Sequence, residues 1–150
     1  MERRVLVLVV GLLGCWIAGC DAHPKPASEE PAAVRFRSYC AACHQYDGRG
    51  MGDAPPLDRS PYVVGPEIRL IRIVLHGVRG RIEMSGKTWN QEMPGFGPIM
   101  SDAEVADLLS YVRRRFGEPS EKITPDAVSQ VRAANLTRNR LWTVEELDVP

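Results

Sequence analysis

The chain has 150 residues, 44% of them hydrophobic and 25% charged, and its 19 basic side chains are matched by 19 acidic ones. That length suits one domain with a modest core and is short for two, while the composition is that of a soluble globular protein. The neutral balance excludes the basic footprint of a nucleic-acid binder. The run Arg113-Arg114-Arg115 reads as a solvated helix face, with a docking patch for an acidic partner as the alternative.

In chain order, Arg3 and Arg4 precede an uncharged apolar stretch from Val5 to Ala18. It is short for a membrane span and suits the core of a signal peptide. Its end, Ile17-Ala18-Gly19-Cys20, resembles the lipobox of bacterial lipoproteins. That resemblance implies cleavage before Cys20, lipidation of Cys20, and an exported chain anchored to a membrane on its periplasmic side. Each buried methylene contributes roughly 0.8 kcal/mol, so more than one acyl chain anchors stably. An uncleaved signal anchor, or cleavage near Ala22, is the alternative. Residues 1–19 are thus read as signal peptide. Residues 20–30, with Pro24, Pro26 and Ser28, are read as a flexible tether.

Pro31 suits the first position of a helix. Ala32 to His44 reads as helix, with Val34, Phe36 and Tyr39 facing inward. The glycines and prolines from Asp47 to Pro56 require a loop. A second helix is expected over Glu67 to His76, stopped by Gly77. Residues 77–100 read as irregular, without strand alternation. Ser101 and Glu104 form a capping box. Val105, Leu108, Leu109, Val112 and Phe116 then mark one face of a third helix, ended by Gly117. Thr124-Pro125-Asp126 looks like a further helix start, with Val128, Val131 and Leu136 on its inner face, and Thr143 to Leu147 like another turn. The expectation is an all-α fold. It has three core helices and long loops in a domain over 31–117, and a helical C-terminal extension over 118–150. Loops this long call for something to organise them, and a buried cofactor would supply the missing core.

Cys40-Ala41-Ala42-Cys43-His44 is the attachment pattern of a c-type haem. The thiols lie about one turn apart, so each can reach one vinyl group of the porphyrin, and His44 can face the iron. A zinc site wants about four ligands, a thioredoxin-like motif wants strands around it, and a plain disulfide has no need of His44. The sixth ligand is chosen among Met51, Met84, Met93, Met100, His23 and His76. Met51 is close to His44 in sequence, and His23 lies in the tether. His76 ends a helix, Met100 precedes a helix cap as a staple residue, and Met84 sits in a featureless loop. Met93 is favoured: Pro94 holds it extended, and Gly95 and Gly97 let the backbone pass close to a flat macrocycle.

These residues resemble class I cytochromes c over roughly 33–117. Phe36, four before Cys40, matches the aromatic of the amino-terminal helix. Leu108-Leu109-Ser110-Tyr111-Val112 looks like the carboxy-terminal helix that crosses it, and Met93-Pro94 looks like the ligand loop. Pro55-Pro56-Leu57 resembles the segment below the haem. There a proline carbonyl, here by preference that of Pro55, accepts the ligand histidine's Nδ1 hydrogen. Two features depart from the family pattern: no lysine-rich docking face is apparent, and the chain continues past Gly117. The extension resembles those of cytochrome domains associated with quinoprotein dehydrogenases and respiratory oxidases. It is expected to pack on the domain, or else to dock a partner.

The resemblance implies a monomeric electron carrier rather than an enzyme. It would hold one covalent haem c with His44 and Met93 on its iron, and exchange single electrons with redox protein partners. Two alternatives stand: a haem subunit of a larger dehydrogenase or oxidase, and a sensor or peroxidase-like protein with an open iron site. Trp89, Arg79 and Arg81 are candidates for the haem propionates.

Overall fold

The computed structural model describes residues 29–147. The expected signal peptide, Cys20, His23 and most of the expected tether lie outside the described residues. No helix among the described residues is long and apolar enough to cross a membrane.

Helix α1, Pro31–Tyr39, starts with Pro31 in its first turn. It does not run on to His44 as expected. At Cys40 the backbone turns, and a separate turn, α2, Ala41–His44, follows. Gln45, at φ 61°, ends it. No glycine or proline marks this break. Phe36 is buried, but Val34 and Tyr39, expected inward, are 37% and 46% exposed. The short α1 offers α5 a narrow face, and Phe36 fills it.

Helix α3, Pro61–Val64, was not expected. Ser60 caps it, its hydroxyl accepting the Tyr62 N–H at 3.3 Å. Helix α4, Glu67–His76, has the expected bounds and buries Leu70, Ile71, Ile73, Val74 and Leu75. It is buried on more than one face because two apolar clusters share it.

Residues 77–94 are not irregular throughout. Strand β1, Gly77–Arg79, precedes a hairpin of β2, Ile82–Met84, and β3, Lys87–Trp89. Ser85 and Gly86, both at positive φ, form its turn, which suits the twist of paired strands. Strand β4, Met93–Pro94, pairs antiparallel with β1. Strands of two or three residues are too short to print an alternation.

Helix α5, Asp102–Phe116, carries the expected capping box: Ser101 Oγ accepts the Glu104 N–H and Glu104 returns the bond at 2.9 Å. Helix α6, Pro125–Ala134, is capped by Thr124. It packs on α4 and α5 through Val128 and Val131. Leu136, expected on its inner face, lies beyond the helix end and is 78% exposed. The chain returns through β5, Trp142–Thr143, which pairs parallel with β1, and ends in α7, Val144–Leu147. The arginine run is divided in its roles. Arg113 donates to the Gly65 carbonyl at 2.5 Å and Arg114 pairs with Glu30 at 2.6 Å.

Helices α1 and α5 meet through aromatic rings, with Phe36 5.2 Å from Phe116 and 5.8 Å from Tyr111 between centroids. Phe36→Ala removes this junction and leaves a cavity. It should cost about 3–5 kcal/mol, read from guanidinium unfolding.

The last turn is held by charge. Glu146 accepts Arg140, the Thr143 N–H and Arg138, the last at 2.6 Å. These bonds hold its carboxyl down at about 2, against an ordinary 4.5. A carboxyl depressed by folding stabilises above its unfolded value and loses that contribution as pH falls to the folded one. The difference in melting temperature between wild type and Glu146→Gln should therefore be full above pH 4.5 and vanish by about pH 2.

Candidate functional site

Helices α1, α4 and α5 leave a space between them. Together with the loop 45–60 and strands β1, β2 and β4 they surround an apolar cleft of ≈ 830 Å³, its open mouth included. Cys40, His44, Pro55, Leu57 and Met93 all line it, among Phe36, Val63, Leu70, Val74 and Leu109. A smaller recess shares Cys40, His44, Pro55 and Met93 and adds Cys43. The turn of α2 thus brings both cysteines and the histidine to one rim.

The histidine's protonation follows from its surroundings. A carbonyl can only accept, so the 3.0 Å contact between His44 Nδ1 and Pro55 O places the proton on Nδ1. Burial lowers the pKa of the ring, and the Pro55 bond partly opposes this. The ring is therefore neutral near pH 7, and Nε2 keeps a lone pair to offer to a metal. Cys40 and Cys43 are both free thiols. Burial, and then the neighbouring Cys43, push the Cys40 thiol up to about 12. It stays protonated near pH 7. Among the described residues no three His, Cys, Asp or Glu side chains converge on a metal-ion position.

Met93 is the described ligand candidate that shares the cleft with His44. Its side chain is half-buried and touches both apolar clusters. Met51 is 59% exposed, and the Gln45 amide donates to its sulfur at 3.6 Å. Met84 and Met100 are buried elsewhere. His76 stands edge-on to Trp142 and lines a separate, more polar cleft with Arg79, Arg132 and Arg138.

Two glycines let the Met93 segment lie close to α4. Gly77 has φ +79°, and a side chain there would meet the Met93 carbonyl. A Cβ on Gly95 would come within 2.6 Å of the His76 carbonyl carbon and 2.7 Å of the Leu75 oxygen. Of the propionate candidates, Arg81 pairs with Glu83 at 3.6 Å, and Arg79 lies on the polar cleft. The Trp89 indole N–H is buried without a partner.

The donor set fits a covalently held haem. It comprises two thiols, one oriented imidazole and one thioether around an apolar slot. Sequence reasoning missed Ile73, Val78 and Trp142, which pack beside Met93. Val78 and Trp142 meet through strand pairing that leaves no local pattern.

A family model described as Cytochrome c matches residues 31–115. Cytochrome c-552 of Thermus thermophilus is 32% identical over 114 residues, spanning 69% of this chain and 86% of that relative. The fructose dehydrogenase cytochrome subunit of Gluconobacter japonicus is 34% identical over 115 residues, 67% of this chain but 22% of the relative. The cbb3-type cytochrome c oxidase subunit FixP of Azorhizobium caulinodans is 30% identical over 104 residues, 68% of this chain and 34% of that subunit.

Gly95→Ala drives its methyl into the backbone of α4, which cannot give way as a side chain would. The Met93 segment must move, at about 1–3 kcal/mol. The denaturant midpoint should fall accordingly, with little change in far-ultraviolet helical signal.

Proposed function

We propose a function from one premise: this chain belongs to the cytochrome c family, whose members carry covalently bound haem c with its iron. On this reading the chain is a mono-haem carrier of single electrons with the cytochrome c fold. Cys40 and Cys43 would hold the porphyrin as thioethers, and His44 Nε2 and Met93 Sδ would ligate its iron. When bound, the haem supplies a one-electron couple at its iron. With His44 and Met93 both engaged, the site would leave no place for substrate. Met93, a soft and weakly donating thioether, favours the reduced state and raises the potential. Phe36, Leu57, Leu70 and Leu109 exclude water from the slot and act in the same direction by disfavouring the extra charge.

The observation that supports this reading best is the pairing of His44 with Pro55, because it orients Nε2 in a cleft that Cys40 and Met93 also line. Relatives named as subunits of a fructose dehydrogenase and a cytochrome oxidase support a second reading, in which the chain serves as the haem subunit of a larger complex. Stable co-purification with a dehydrogenase or oxidase would favour it. The proposal also includes export behind a signal peptide at 1–19, a lipid at Cys20, and a tether that lets the domain turn between donor and acceptor at a membrane. The run Ile17-Ala18-Gly19-Cys20 supports this part.

The test is the visible spectrum of protein matured with haem. The oxidised wild type should show the weak long-wavelength band of an iron–thioether bond, and Met93→Ala should lose it. A wild type without the band, or a band that survives the substitution, would overturn the assignment of Met93. Carbon monoxide binding to the wild type would then favour an open iron site.

A further inference from the structure

The C-terminal segment is more than a cover for the domain. Arg132, on α6, directs three of its donors at the chain that follows Met93. Nη1 donates to the Gly97 carbonyl at 2.8 Å, Nη2 to the Met100 carbonyl at 2.9 Å and Nε to Asp102 Oδ1 at 2.7 Å. The pair is largely shielded, with 28% of the Arg132 side chain and 31% of that of Asp102 exposed. Such charge-assisted bonds to a rigid fork are stronger than neutral ones and fix geometry as well.

The same segment also grips the other end of the loop. Strand β5 pairs with β1, and β1 pairs with β4, with Val78 opposite both Met93 and Trp142. The loop between is tied to α4 by Phe96 N–H to Val74 O at 2.8 Å and Gly97 N–H to Leu75 O at 3.0 Å. The span from Met93 to Asp102 is therefore held at its start by β1, which β5 backs, at its middle by α4, and toward its end by Arg132.

We propose that Arg132 is a positioning residue for the axial methionine, holding the loop closed so that the Met93 sulfur stays at the iron. This rests on the reading of Met93 as ligand. A thioether carries no charge and binds weakly, so its occupancy depends on how firmly the loop presents it. Removing Arg132 leaves two shielded carbonyls and one carboxylate without their donor, and the population with the loop open rises.

The experiment uses the full, haem-loaded chain as wild type, Arg132→Ala, Arg132→Lys and Met93→Ala. Imidazole is the probe, because it competes for the axial position. Arg132→Ala should keep its helical signal, lose part of the iron–thioether band and bind imidazole roughly tenfold or more tightly in the oxidised state. Arg132→Lys, which keeps the charge but lacks the fork, should fall between. It decides the matter if Arg132→Ala fails to fold. Imidazole affinity unchanged in the Arg132 variants, with the band lost in Met93→Ala, would overturn the role of Arg132 alone. A band that survives in Met93→Ala would overturn the ligand reading and the role of Arg132 with it.

Discussion

A buried imidazole has one nitrogen to satisfy and one to offer, and His44 satisfies Nδ1 through the Pro55 carbonyl at 3.0 Å. Much of the local structure serves that contact. The turn of α2 leaves His44 at the rim of the cleft, and the loop after it must bend back within eleven residues to bring Pro55 beneath the ring. That bend is stapled by His44 O to the Gly50 N–H and by Gly48 O to the Leu57 N–H. The glycines at 48, 50 and 52 all take positive φ along it. A loop of this kind has little reason to hold one shape without something to close around. The cofactor of the family supplies that, and the apolar lining turns what would be a void into the centre of the core.

The second constraint is that the slot must be open to a flat macrocycle and yet closed to water. Helices α1 and α5 meet at the Phe36, Tyr111 and Phe116 rings, which sets the width of one wall. Helix α4 supplies another wall and is itself buttressed from outside by α6. The C-terminal segment is thereby part of the domain it follows. Trp142 shows this well. Its ring is stacked under the Arg138 guanidinium at 3.4 Å and lies with Ile73, Val78 and Leu147 in the cluster that Met93 touches.

Much of the helical frame was legible in the residues themselves. Helix α4 and helix α5 have the bounds their caps and stop glycines announce, because capping boxes, proline at a first turn and apolar periodicity are local signals. The start of α6 at Thr124-Pro125 was legible for the same reason. What failed were directions and interruptions. Val34 and Tyr39 fit an inward stripe, but α1 packs mainly on α5, where the Phe36 ring fills the contact. The break at Cys40 carries no helix breaker. Leu136 lies at helical spacing from Val128 and Val131, and is exposed because α6 ends before it.

The spacing of Cys40, Cys43 and His44 was legible in the residues alone. Cys40, Cys43 and His44 are neighbours, and one turn of backbone sets their relation whatever surrounds them. The sequence also showed where α4 and α5 begin and end, and where α6 begins. Tertiary structure decided which of several methionines shares a cleft with His44, which arginine holds the segment after Met93, and how the chain beyond Gly117 joins the core. Those contacts pair residues from 15 to 64 positions apart: Val78 with Met93, Arg132 with Gly97 and Val78 with Trp142. Partners so distant leave no mark on the residues beside them.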